Sequence, residues 1–197
     1  MAAQVVELKC PGCGGIIAIT QKICDWCHKP VAISSFNSIY AMTMPQVNKY
    51  AGAYKTILKA NPDDNELNSS IAMCYLKLKL YDKALLAFEK AMEDNFDNSE
   101  TFFYAAVCLL KGKKPFMVSR NVINQVLEYI NAALMIEKRG LYYYFIAYIK
   151  YDYFYRKGFM ISPNYQECLK TAITYGVSEL DIQMLYDTLC VNRPQCL

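Results

Sequence analysis

Residues 65–98, NELNSSIAMCYLKLKLYDKALLAFEKAMEDNFDN, form a 34-residue unit. The apolar spacing predicts two helices, over 65–78 and 81–94, with a break at Leu80-Tyr81-Asp82. Small residues stand where two helices must cross closely: Ala72 in the first helix, Ala84 and Ala91 in the second. Large residues, Ile71, Tyr75, Tyr81 and Phe88, stand where each helix must fill the gap to its neighbour. A lone pair of helices leaves an apolar face uncovered, so the flanking chain is expected to supply further pairs.

It does so on both sides. In QVNKYAGAYKTILKA (46–60), Val47, Tyr50, Ala51, Tyr54, Ile57 and Leu58 keep a helical spacing, and Asn61-Pro62-Asp63-Asp64 stops the helix. Ser34-Ser35 is placed to cap a short helix bearing Phe36, Ile39 and Tyr40. After the central unit, SETFFYAAVCLL (99–110) puts Phe102, Ala105, Ala106 and Leu109 on one face. Its partner, INQVLEYINAALMIEKRG, packs through Val126, Ile130, Ala133 and Leu134 and is expected to stop at Gly140. It arrives about eight residues late, behind the basic stretch KGKKPFMVSRN (111–121). LYYYFIAYIKYDYFYRKG is expected as one helix from Leu141, with Tyr144, Tyr148, Tyr151 and Tyr155 as a stripe. YQECLKTAITYG (165–176) is its partner, and Ser178-Glu179-Leu180-Asp181 opens a last helix that covers the open end.

Composition agrees with a packed, mainly helical chain. Of 197 residues, 54% are hydrophobic and 20% charged, which disfavours disorder. Gly and Pro, 8 and 7, are too few for a turn-rich all-β fold. A net charge of +3 is too small to recruit nucleic acid by field alone. No apolar run reaches the roughly 18–20 residues of a membrane span, so no membrane partner is expected. The opening MAAQVVELKCPGCGG has no basic-then-apolar secretory pattern. A reducing cytoplasm is the expected compartment, where disulfides are disfavoured.

Nine cysteines then need another account. Cys74, Cys108 and Cys168 fall inside helical patterns as small buried thiols. Cys10-Pro-Gly-Cys13 and Cys24-Asp-Trp-Cys27 are CxxC pairs ten residues apart. Each pair turns two thiolates the same way, Gly12, Gly14 and Gly15 give the turn its freedom, and the β-branched Ile16–Thr20 can run as a strand between them. Four thiolates at about 2.3 Å suit a single structural Zn²⁺ with a closed coordination sphere; an iron site, and redox or unliganded cysteines, are the weaker alternatives. Cys24–His28 also spells the CxxCH of covalent haem, but that chemistry needs export and would strand Cys10 and Cys13. His28 is the only histidine, which removes Ser-His and Cys-His nucleophile schemes, and it reads as a surface residue beside the site.

The helical pattern resembles the tetratricopeptide-repeat (TPR) family, with Ala72, Ala84, Ala91, Tyr75, Tyr81 and Phe88 in that family's register and Phe96 where it usually has Pro. Residues 8–30 resemble the CPxCG…CxxC zinc ribbon found at the ends of many prokaryotic proteins. The resemblance implies a mainly α protein: a right-handed helical-hairpin solenoid over 32–190, preceded by a zinc ribbon with a short β-hairpin over 1–31 and followed by a tail, 191–197. It further implies a bacterial, non-catalytic adaptor or scaffold that holds an apolar peptide or amphipathic helix of another protein in its groove, with no small-molecule substrate. Met73, Phe103 and Val107 fall on groove-facing positions, or else pack against the neighbouring helix. Tyr144 and Tyr148 either grip a partner or form a core, and the charged Lys150, Asp152 and Arg156 on the other side favour a core. Lys113, Lys114 and Arg120 offer either a partner-contacting insertion or a solvated loop. A nucleic-acid-associated factor using the ribbon and loop 111–120, and a client-specific chaperone, are the alternatives. Phosphate-loop, HExxH and GxSxG patterns are absent, so no catalysis is expected.

Overall fold

The structure, a computed structural model, describes residues 8–18, 21, 23–29, 31–33, 35–93 and 95–197. The chain is mainly α and forms two compact units, Met1–Glu93 and Asp94–Leu197. The boundary expected at 31/32 falls inside the first unit.

In the first unit, β1 (Leu8–Lys9) pairs antiparallel with β2 (Ile16–Ile17), Leu8 opposite Ile17. The strand expected to run to Thr20 ends at Ile17, Ala18 lying beyond it; 19 and 20 lie outside the described residues, as does Ser34. Four helices follow: α1 (Phe36–Tyr40), α2 (Met44–Ala60), α3 (Asn65–Lys77) and α4 (Tyr81–Met92). The starts of α2 and α3 are capped by local chemistry. Thr43 and Gln46 form a reciprocal capping box, and Asp64 accepts from the Leu67 N–H at 2.9 Å. Ala72, Ala84, Ala91, Ile71 and Phe88 are buried where α3 and α4 pack as a hairpin, and Tyr75 and Tyr81 are half-buried. Residues 31–33 are fastened rather than free: Tyr54 donates to the Val31 carbonyl at 2.6 Å, and the Ile33 N–H donates to Ser70 Oγ at 2.9 Å.

The second unit holds α5 (Ser99–Leu109), α6 (Arg120–Ile136), α7 (Gly140–Ile149), α8 (Tyr165–Thr174) and α9 (Glu179–Leu189). α5 pairs with α6 and α7 with α8. α6 begins at Arg120, earlier than the periodicity indicates, because Ser119 caps it by accepting from the Val122 N–H. Ser99 Oγ bonds both Glu137 and the Tyr142 hydroxyl at 2.8 Å, and Arg139 pairs with Glu100 at 2.8 Å. This network ties the start of α5 to the link between α6 and α7.

Two expectations need correction. Gly140 does not end a helix; it starts α7, after α6 has stopped at Ile136. It is glycine because backbone passes close by: a Cβ there would lie 2.5 Å from the Val177 nitrogen and 2.6 Å from the Ala172 oxygen. The second correction is to the tyrosine helix, which is not one α-helix. α7 gives way to a π-helical turn at Lys150–Phe154, then a 3₁₀ turn at Tyr155–Lys157, and ends at Gly158 with φ +78°. The wider turn sets later side chains back by roughly 100°. Tyr144 and Tyr148, before the turn, lie in the core, and Tyr155, after it, is 61% exposed; Lys150 and Asp152 are buried at 9% and 2% exposure instead of forming the solvent face.

No helix among the described residues is long and apolar enough to cross a membrane. Cys74, Cys108 and Cys168 are buried, as their helical positions imply.

The glycines give a paired test by urea unfolding. Gly140→Ala should cost about 1–3 kcal/mol, because the facing atoms are backbone and cannot give way. Gly52→Ala, in the interior of α2 with open space around it, should gain about 0.5–1 kcal/mol.

Candidate metal centre

The two CxxC turns are built alike. In the first, the Gly14 N–H donates to the Cys10 carbonyl at 2.9 Å and the Cys10 N–H to the Gly15 carbonyl at 2.8 Å. In the second, His28 N–H donates to the Cys24 carbonyl at 2.8 Å and Cys24 N–H to the Lys29 carbonyl at 3.0 Å. The residue after each second cysteine is left-handed: Gly14 at φ +87°, His28 at φ +54°. Left-handed backbone suits glycine, and a histidine there carries strain. His28 thus fills the turn position that Gly14 fills in its counterpart, and it is exposed. That position accounts for the CxxCH spelling without haem.

These turns bring Cys10, Cys13, Cys24 and Cys27 together, with all four sulfurs within 4.8 Å of one another. Cys10 and Cys27 lie 3.7 Å apart, and Cys13 and Cys24 3.6 Å apart. A tetrahedron built on metal–sulfur bonds of about 2.3 Å has edges of about 3.8 Å. Disulfide sulfurs would sit at about 2.05 Å, and all four cysteines are free. The spacing fits a metal ion at the centre. Four thiols this close cannot all ionise without a cation. Burial opposes the charged form of Cys24, but the N–H groups of Cys27 and Trp26, with the thiols of Cys10 and Cys13, bring it down to about 7. The Lys29 backbone helps Cys27 ionise, yet burial and the other three thiols push it up to about 11.

Helix α2 closes one side of the cluster. Lys49 Nζ donates to the Gly12 carbonyl at 2.7 Å. A Cβ on Gly12 would lie 3.0 Å from the Tyr50 hydroxyl and 3.5 Å from Cys27 Sγ. Trp26, on the second turn, lies across Gly15 on the first, where a Cβ would come within 2.6 Å of its ring. The short sequence signals that mark this packing are Lys49 and Tyr50. They look like ordinary helix residues until the ribbon is placed on α2.

The partner-binding candidates separate by burial. Met73, Phe103, Val107, Tyr144 and Tyr148 are all buried and present no surface. Phe103 stacks on Tyr142 at 4.7 Å and meets Phe145 edge-on at 5.6 Å; Tyr144 and Tyr148 both meet Tyr186 edge-on. The Tyr148 hydroxyl, buried, has no hydrogen-bond partner among the described residues. Lys113, Lys114 and Arg120 are exposed. Arg120 is already engaged: its guanidinium lies 4.6 Å from the Phe154 ring centre and its Nε donates to Asn124 at 3.1 Å. The insertion is also held at Phe116, whose N–H donates to the Asp152 carboxylate at 2.8 Å and whose ring lies beneath Arg156 and Lys157.

No protein-family model matches the chain, and no curated protein matches it. The site is a four-cysteine cluster seated against α2.

His28→Gly should leave the Co²⁺–thiolate absorption of cobalt-loaded protein unchanged and stabilise the fold by about 1 kcal/mol, since it relieves a left-handed residue. A lost cobalt band in that variant would make His28 a ligand.

Proposed function

We propose that this is a non-catalytic interaction protein in which a structural Zn²⁺ locks a ribbon onto TPR-like helical hairpins, and that it binds another protein. The carrying observation is the closure of the cluster: four cysteine sulfurs at tetrahedral spacing, covered on one side by Lys49 and Tyr50 of α2. A metal with four protein thiolates has no open position for substrate or water, so it holds structure. Zinc suits this set because four-thiolate tetrahedral sites are its common structural form and need no redox role. The single histidine, exposed in a turn, supports a non-catalytic reading. The hairpins α3–α4, α5–α6 and α7–α8, with Ala72, Ala84 and Ala91 buried at close crossings, support the repeat reading. A reducing bacterial cytoplasm suits four cysteines held as metal thiolates rather than as disulfides. The buried Met73, Phe103, Val107, Tyr144 and Tyr148 argue that a partner uses exposed side chains rather than those positions.

Metal analysis of protein purified without added metal should give one Zn²⁺ per chain. Cys10→Ser or Cys24→Ser should release it, and a strong chelator should unfold the ribbon with loss of the Lys49 and Tyr50 contacts. A metal-free wild type with the same fold would overturn the zinc assignment.

A second reading, nucleic-acid association, is favoured by one observation: Arg156 and Lys157 lie over the partly exposed Phe116, and the exposed Lys113 and Lys114 precede it in the same loop. Filter binding of single-stranded RNA separates the two. A protein-binding module should bind weakly and without a steep slope against salt. A slope of about −0.7 per phosphate contacted, lost in Lys113→Ala/Lys114→Ala, would favour the second reading.

A further inference from the structure

The π-helical turn leaves an unbalanced charge. Lys150 is only 9% exposed, yet no carboxylate lies within ion-pair reach of it among the described residues. Its ammonium donates to the Pro163 carbonyl and lies beside the Cys168 thiol, both neutral acceptors. Asp152, two residues on, is committed to Arg156 and to the Phe116 N–H. A buried ammonium with only neutral partners is costly, and the cost falls when an anion joins it.

There is room for one. Lys150 lines a groove of about 440 Å³ whose other walls include Tyr155, Phe159, Ile161, Asn164 and Tyr165. That volume is within the usual range for small-molecule sites. Tyr155 and Tyr165 meet at 5.1 Å between ring centres, and Tyr151 packs on both, so one wall is a fixed aromatic surface. Phe159, 51% exposed, forms an apolar rim. The first turn of α8 also faces the groove through Tyr165, which adds a modest positive potential. That end already holds one carboxylate, since Glu167 accepts from the Asn164 N–H at 2.7 Å. One cation without a carboxylate partner, at a helix start whose potential Glu167 already partly meets, suits a monoanion and disfavours a phosphate dianion. The aromatic and aliphatic walls suit an apolar body.

We propose that this groove binds a small organic monocarboxylate with an aromatic or branched apolar body. Its carboxylate pairs with Lys150 Nζ, and its body lies between the Tyr155–Tyr165 wall and Phe159. The site lies wholly in the second unit and does not depend on the metal centre.

The test uses the full chain and four probes: benzoate, acetate, benzyl alcohol and inorganic phosphate, at constant ionic strength. Amide resonances of Tyr165 and Gln166 report binding by NMR titration. Benzoate should shift them saturably, and acetate, benzyl alcohol and phosphate should each bind about tenfold more weakly, because each lacks the apolar body, the charge or the single charge. Lys150→Met, which keeps the side-chain bulk, should lose the benzoate response about tenfold and melt no lower than wild type in ligand-free buffer. If that variant does not fold, Phe159→Ala decides: it should weaken benzoate several-fold and leave acetate unchanged. The proposal is overturned if benzoate gives no saturable shift, or if benzyl alcohol or phosphate binds as well as benzoate. Full benzoate affinity in a folded Lys150→Met, or in Phe159→Ala, would also overturn it.

Discussion

The arrangement depends on a packing constraint: the first helix of each hairpin is buried nearly all round. In α5 every residue from Ser99 to Cys108 except Glu100 is buried, and in α7 every residue except Tyr143. Such a helix is stable only when enclosed. Its partners α4, α6 and α8 are amphipathic instead, burying a single stripe such as Ile123, Val126, Ile130 and Ala133 in α6. The few polar groups caught inside the first helices are answered locally. Asn68 donates to the carbonyls of Pro62 and Asp64, Ser70 bonds Glu66 and Ile33, and Ser99 bonds Tyr142. Enclosure is also why Met73, Phe103 and Val107 are core side chains: a helix that must be covered everywhere keeps no face for a partner.

The four-cysteine cluster follows a different logic, because its geometry is written in short range. Each CxxC turn closes through two backbone hydrogen bonds and a left-handed residue, so the four sulfurs converge by turn geometry with little help from distant residues. The wider structure adds the attachment. Lys49 and Tyr50 seat the cluster on α2, while Tyr54 and Ser70 hold residues 31–33 against α2 and α3. The first unit is therefore one compact unit from the cysteines to α4, where the resemblance implied a boundary at 31/32.

The insertion and the π-turn in the second unit are two sides of one packing solution. Asp152, buried by the π-turn, accepts from the Phe116 N–H of the insertion and pairs with Arg156. Arg120, Arg156 and Lys157 then lie over aromatic rings supplied by both segments. Much of the charge that looks solvated along the chain is stacked on rings, where Arg and Lys can keep their heads partly wet and their stems covered.

Residue order alone determined what short-range physics controls. The helices between 44 and 92 start and stop within a few residues of where apolar spacing, Asp64 and Asn61-Pro62 place them, and the four clustered cysteines are evident from two tight turns ten residues apart. The resemblance to helical repeats rests on the same local pattern, which is why the hairpins were legible and a partner surface was not. Tertiary structure decided whatever depends on a neighbour distant in sequence. Gly140 looked like a helix stop and proved to be a crossing point, because the backbone at 172–177 is what it must clear. Lys150 and Asp152 looked like a wet face and are buried, because they continue the enclosed α7 and the π-turn there breaks the regular spacing. A side chain's spacing states which neighbours it shares along its own helix; its exposure and its charge partner belong to the elements that pack against it.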